Sequence, residues 1–286
     1  MADPDVMRAG GRRSAMALAY GVPIGMLGGL IGLGGAEFRL PVLAGPLKYR
    51  ACQAVALYLA VTLATVTAVL GTRGGALPLD SFARRIPAMS ALIGGSVIGA
   101  SFGPALGGRW SDRHLDRVVF VLLVGLGCGL MLDSVLIHEP VRLIDRSAPS
   151  RVGAGFFFGA VIRLISGQLG VAGGEPLIPT LIFAFGWDMQ TAGTASLLIS
   201  MPMVVIGLIG HARQGSFTDR RAWGETVLPM NVGSMLGAVM GGLLVNAVSL
   251  SMLKTLLGVI LIISAWKVFL KERPYERAIG REGARS

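Results

Sequence analysis

The chain has 286 residues, of which 53% are hydrophobic and only 15% are charged, and its mean hydropathy of +0.67 lies above the range of ordinary soluble domains. The net charge of +10 does not indicate a nucleic-acid partner, because the basic residues are confined to the gaps between apolar segments and form no continuous patch with interleaved aromatics. The composition therefore excludes an ordinary soluble domain and favours a protein that lies in the lipid bilayer.

Apolar segments that are long enough to cross a bilayer, which takes roughly 20 residues, recur along the whole chain. The predicted fold is an all-α integral membrane protein with about eight transmembrane helices in two four-helix repeats. The predicted spans lie near residues 14–31, 51–71, 86–106, 118–137, 152–171, 190–210, 226–245 and 252–270. They divide the chain into an amino-terminal tail (1–14), a first repeat (15–137), a linker (138–151), a second repeat (152–271) and a basic tail (272–286).

The distribution of lysine and arginine predicts the orientation, because these residues concentrate on cytoplasmic loops. In an eight-span arrangement, the two tails, the linker and the loops after the second and sixth spans fall on one side and are rich in basic residues. Arg73 is assigned to the loop after the second span. We therefore expect a multi-pass protein of the cell inner (plasma) membrane, with both termini and the linker in the cytoplasm.

The chain contains an internal repeat at an offset of 138 residues, as between Glu37 and Glu175. "GLGGAEFRLPVL" from Gly32 aligns without a gap to "GVAGGEPLIPTL" from Gly170, and "GSVIGA" from Gly95 aligns to "GSMLGA" from Gly233. Four spans in each repeat would make both halves enter from the same side, which predicts a parallel repeat about an axis along the membrane normal. If one element is re-entrant, the halves are instead inverted.

Each repeat begins with a segment rich in glycine and proline, where a helix is expected to break. Broken helices persist in membranes where they are buried in protein or line a cavity, and the positive ends of half-helices suit anions. Two breaks that face each other predict a transport site near the bilayer midplane. The alternative is that the glycines serve close helix packing and the glutamates cap helices. The predicted backbone contacts to substrate come from Gly32, Gly34 and Gly35 in the first repeat and from Gly170, Gly173 and Gly174 in the second.

Charged and hydroxyl side chains near the breaks are the predicted binding and coupling groups. Arg39 supplies positive charge, while Glu37 and Glu175 either balance it or carry a proton. Arg163 lies inside a predicted span, where it either neutralises substrate or forms an ion pair with one of these glutamates. Thr194 and Ser196 are candidate hydroxyl donors, although such hydroxyls in membrane helices more often bond to backbone.

These motifs resemble those of the sulfite exporter TauE/SafE family of membrane permeases. "GLIGLGGAEFRLP", "GQLGVAGGEPLIP" and the later "TAGTASLLIS" carry the resemblance, which extends over nearly the whole chain. It implies an inner-membrane protein that moves small anions, with sulfite, sulfonates and related sulfur compounds as the substrate class and no soluble cofactor. Arg39 departs from the family pattern, because its position is often apolar.

The predicted mechanism is alternating access, in which a small oxyanion binds between the repeats and one half rocks against the other. A coupling proton or cation is expected to drive transport, since the sequence contains no nucleotide-binding loop. A passive anion channel uses the same features. An intramembrane enzyme acting on a lipid phosphate is the second alternative, although the sequence offers no nucleophile or metal-binding cluster. Whether the chain forms a homo-oligomer is left open.

Overall fold

The computed structural model describes residues 4–49, 51–74, 85–107, 112–136, 148–169, 174–213 and 220–282, and its regular elements there are all helical. The first repeat contains α1 (Pro4–Ile31), α2 (Ala36–Ala44), α3 (Ala51–Gly74), α4 (Ile86–Gly107) and α5 (Asp112–Leu136). The second contains α6 (Ala148–Leu169), α7 (Gly174–Phe183), α8 (Met189–Arg213), α9 (Arg220–Ala222), a π-helical turn (Trp223–Val227), α10 (Leu228–Leu244) and α11 (Leu250–Glu282).

Many of these helices are apolar enough to lie in a membrane. Within the described residues, five are also long enough to cross it, namely Gly10–Ile31, Gln53–Arg73, Arg117–Val135, Met189–Arg213 and Trp223–Leu244. Two shorter apolar helices, Ile86–Gly99 and Leu250–Trp266, accompany them. An all-helical membrane protein is therefore confirmed, while the count of eight crossings stays a prediction.

The sequence repeat is also a structural repeat. The short helices α2 and α7 begin at Ala36 and Gly174, and the long helices that follow begin at Ala51 and Met189, so both pairs keep the offset found in the sequence. Even the turn before the long helix is shared, because Lys48 and Gly186 occupy equivalent positions with φ of 56° and 65°.

The equivalent helices α3 and α8 run antiparallel. Leu59, in the first half of α3, lies against the position of Gly207 near the end of α8. Arg73, at the end of α3, donates a hydrogen bond to Thr194 near the start of α8. Two equivalent helices that point in opposite directions require an inverted repeat, so the expectation of a parallel repeat is wrong.

The physical reason for the inversion is that α2 returns the chain toward the side from which α1 started. Tyr49, just before α3, packs under the guanidinium of Arg13 in α1, with 6.0 Å between the ring centre and Cζ. Arg73, at the end of α3, contacts the carbonyls of Gly29 and Leu30 at the end of α1. Helices α1 and α3 are therefore parallel, and α2 with residues 45–49 forms the returning limb of a re-entrant hairpin.

The last helices of the two repeats, α5 and α11, also pair antiparallel. Asp133 near the end of α5 forms an ion pair of 2.6 Å with Lys254 near the start of α11, and Ser134 bonds to Thr255. Gly127 packs farther along against Gly258. The chain thus leaves α11 at the end of the bundle where α1 began, which we call the terminal end.

This topology changes the sidedness expected for the linker. The end of α5 and the start of α6 both lie at the end opposite the termini, since α4 and α6 are parallel and α4 runs toward the terminal end. Residues 138–147 between them lie outside the described residues. The helix ends that flank the linker therefore lie at the end of the bundle opposite to the helix ends that carry the termini.

Glycine seams join the two repeats. Helix α1 packs in parallel on α10, and α4 packs in parallel on α6, with backbones so close that a Cβ atom at these glycines would collide with carbonyl groups of the partner helix. The seam between α1 and α10 contains Gly21, Gly25, Gly29, Gly233, Gly237 and Gly241, and that between α4 and α6 contains Gly95, Gly99, Gly155 and Gly159. Packing accounts for these glycines, as the alternative in the sequence analysis proposed.

Candidate functional site

The first break has the backbone conformation that its glycines predicted. Gly32, Gly34 and Gly35 have φ of 95°, 71° and 76°, a left-handed region that residues with a Cβ rarely adopt. Gly32 also lies against the backbone of Gly193 in α8, with no room for a side chain. The hydroxyl of Ser196 donates to the carbonyls of Gly32 (2.6 Å) and Gly193 (2.8 Å), so it bonds to backbone and ties the first break to the second repeat.

Arg39 is fully buried in α2, directly after the break. Its Nη1 donates to the carbonyl of Gly34 (2.6 Å) and to the hydroxyl of Thr62 (3.0 Å), and its Nη2 donates to the hydroxyl of Thr65 (2.7 Å). Thr62 and Thr65 lie in the middle of α3, so this guanidinium is held at about mid-depth. A charge at this depth is costly and usually functional.

Arg73 lies on the other side of the break and is only 4% exposed. Its Nη2 donates to the carbonyls of Gly29 (2.6 Å) and Leu30 (2.8 Å), which end α1, and its Nη1 donates to Thr194 (3.2 Å). Thr194 in turn donates to the carbonyl of Gln190 (3.0 Å). The sequence analysis was wrong to assign Arg73 to a loop, because α3 continues through it and buries it against α1 and α8.

The second break is described only from Gly174 onward, where α7 begins. Gly170 and Gly173 lie outside the described residues, as does the side chain of Glu37 in α2. Glu175 occupies the first turn of α7, is 7% exposed, and accepts a hydrogen bond from the hydroxyl of Ser264 in α11. A carboxylate in the first turn is favoured by the positive end of the helix dipole.

Arg163 lies in α6, and among the described residues it forms no ion pair with Glu175. Its charge interacts with the Tyr58 side chain of α3, and its Nε is buried without a hydrogen-bond partner.

Sequence reasoning missed Arg73, Thr62, Thr65 and Ser264 as members of this region. The available signal was the spacing of Thr62 and Thr65. They lie three residues apart near the middle of an apolar helix, which predicts a polar face. Ser264 had no such signal, since α11 meets α7 only through tertiary packing.

The described residues show no group of three or more His, Cys, Asp or Glu side chains that could hold a metal ion. A cavity of about 590 Å³ lies between the starts of α1 and α10, lined by residues such as Ser14, Leu18, Leu228 and Val232. Neither Arg39 nor Arg73 lines this cavity.

The comparisons with known proteins bear on the whole chain. The sequence model described as "Sulfite exporter TauE/SafE" matches residues 3–130 and 146–285, which are the two repeats. The comparisons with curated proteins and with solved structures found no match. Because the family match covers far more than half of the chain in two repeated segments, the chain belongs to the sulfite exporter TauE/SafE family of membrane transporters.

Proposed function

We propose that this chain is a secondary transporter for a small sulfur oxyanion or organosulfonate, such as sulfite, and that the anion binds at the first break beside Arg39. The observation that supports this most directly is the buried guanidinium of Arg39, which is fixed by Gly34, Thr62 and Thr65 next to three left-handed glycines. A guanidinium presents planar pairs of N–H donors that match an oxyanion. The start of α2 adds backbone N–H groups and a positive helix end.

The inverted repeat supports alternating access. Helices α3 and α8 are equivalent, run antiparallel and both contact the first break, through Thr62, Arg73 and Ser196. Two halves with the same fold and opposite orientation can exchange their conformations. This gives two arrangements that are related by a pseudo-two-fold axis in the membrane plane, one open to each membrane face. A tilt of α3 against α8 would exchange them and carry the bound anion across.

Glu175 is the proposed coupling group of the second repeat. It is buried at the start of α7 and accepts a hydrogen bond from Ser264, so protonation would change the contact between α7 and α11. Glu37 occupies the equivalent sequence position in α2 and is proposed for the same role.

The experiment is sulfite flux into proteoliposomes, with and without a pH gradient, for wild type, Arg39→Gln and Glu175→Gln. We expect a saturable flux that the gradient drives, a loss of most flux in Arg39→Gln, and flux without gradient coupling in Glu175→Gln. Large unitary currents that do not saturate would support a passive channel instead. No flux of sulfite, thiosulfate, sulfate or small sulfonates by folded wild-type protein would contradict the proposal and restore the enzyme alternative.

A further inference from the structure

Among the described residues, no contact of Arg73 balances its buried charge. The three hydrogen bonds that it forms there go to neutral oxygens, two carbonyls and one hydroxyl. Among the described residues no carboxylate lies within ion-pair distance of it, and its Nε is buried without a hydrogen-bond partner. The carbonyls at the end of α1 carry only a partial negative charge. A buried charge normally has a counter-charge, and an anion would supply it.

The groups around Arg73 suit an anion. Thr194 lies in the second turn of α8, so the positive end of that helix lies beside the guanidinium. Asp188, just before α8, caps that helix by accepting a hydrogen bond from the backbone N–H of Thr191, at 2.9 Å. Arg85, a cation at the same end of the bundle, lies instead against the Trp187 ring, with its Cζ 5.3 Å from the ring centre.

Arg73 and the α3 residues that bind Arg39 lie at separate levels of α3. The partner of Arg39 nearest to Arg73 is Thr65, eight residues earlier in α3, which corresponds to roughly 12 Å along the helix axis. The two guanidiniums are therefore anchored at different levels of α3, Arg39 at its middle and Arg73 at its end.

We propose that Arg73 and Thr194 form a second oxyanion-binding station, which the transported anion occupies at the end opposite the termini before or after it binds Arg39. Arg73 serves two purposes there. It holds the end of α1 through the carbonyls of Gly29 and Leu30, and it presents its remaining N–H donors to the anion. This inference rests on the proposed function, since it assigns a second position on the same route.

The test compares the half-saturating sulfite concentration from each face, in right-side-out and inside-out membrane vesicles. Arg73→Lys is the main variant, because an ammonium can still donate to the carbonyls of Gly29 and Leu30 and preserve the fold. We expect it to raise the half-saturating concentration roughly tenfold from the face at the α3 carboxyl end, and less than twofold from the other face. Arg73→Gln should show a larger effect of the same sidedness. Arg85→Gln is the matched control, a cation lost from the same end, and should leave both values unchanged.

Two outcomes overturn the inference while the proposed function stands. Equal changes from both faces would show that Arg73 only stabilises the end of α1, and an unchanged value in folded Arg73→Lys and Arg73→Gln would show that the anion does not contact it. If wild-type vesicles transport no sulfite or related anion from either face, the proposed function itself fails, and the second station fails with it.

Discussion

Arg39 and Arg73 are two buried guanidiniums that hold the two limbs of one re-entrant hairpin. Arg39 binds the carbonyl of Gly34 after the turn, whereas Arg73 binds the carbonyls of Gly29 and Leu30 before it. Breaking a helix in a bilayer frees carbonyls that need donors, and arginine supplies several at once. The same residues that make the break tolerable therefore also supply the positive charge for a substrate.

Thr65 and Thr67 allow the contribution of the Arg39 site to be tested with a matched pair. Both hydroxyls donate to the carbonyl four residues earlier in α3, at 2.8 and 2.9 Å, but only Thr65 also accepts from Arg39. Hydrogen bonds to charged groups are worth about 1.5–3 kcal/mol. We expect Thr65→Val to lower sulfite flux at least roughly tenfold, and Thr67→Val, on the exposed face, to leave it unchanged. Equal flux in the two variants would show that the position of Arg39 does not matter for transport.

At the scale of elements, glycine has two distinct roles in this chain. Gly25 and Gly29 are helical and let α1 approach α10, whereas Gly32, Gly34 and Gly35 have left-handed backbone and turn the chain. The sequence alone shows only a high density of glycine. The glycines that pack against α10 differ from those of the break in being four residues apart, because this spacing places one glycine per turn on a single helix face.

Substitutions in the seam should reveal the packing role. A Cβ at Gly25 would collide with the backbone of Ser234, whereas a Cβ at Gly94 in α4 meets nothing within 4 Å. Overpacking typically costs about 1–3 kcal/mol, while alanine in place of an exposed helical glycine gains about 1 kcal/mol. We expect Gly25→Ala to lower, and Gly94→Ala to maintain or raise, the midpoint of thermal unfolding in detergent. A Gly25→Ala variant as stable as wild type would contradict the close seam.

At the scale of the whole molecule, the inverted repeat follows from the two short helices. Because α2 and α7 are too short to cross a bilayer, the returning limb consists of a short helix followed by a hydrogen-bonded turn, and each repeat ends at the end of the bundle opposite its start. The antiparallel pairing of α5 with α11 agrees with this, through Asp133 and Lys254. At the repeat offset, Asp133 corresponds to Lys271, and Lys254 corresponds to Asp116. The equivalent pair of positions therefore also consists of one acidic and one basic residue.

Labelling with a membrane-impermeant thiol reagent tests the topology. In a protein with Cys52 and Cys128 replaced by alanine, we expect single cysteines at Ser150, at the start of α6, and at Ser286, at the carboxyl terminus, to react from opposite faces. Both termini are predicted to be cytoplasmic, so Ser150→Cys should react in intact cells and Ser286→Cys only after permeabilisation. Reaction of both from one face would exclude the inverted arrangement.

The sequence by itself determined the membrane class, the duplication, the position of the first break and the family, because hydropathy, repeat offset and glycine content are local or periodic properties of the chain. It also placed Arg39 beside that break, whereas Ser196, expected as a ligand donor after the second break, bonds instead to the backbone of the first. Only the tertiary structure decided the relation between the repeats and the place of Arg73. A charge count assigns every arginine near a span end to a loop, whereas burial depends on the helix that packs against it, here α1. The direction of each repeat likewise depends on whether a short helix crosses or returns, which its length and composition leave open but its neighbours fix.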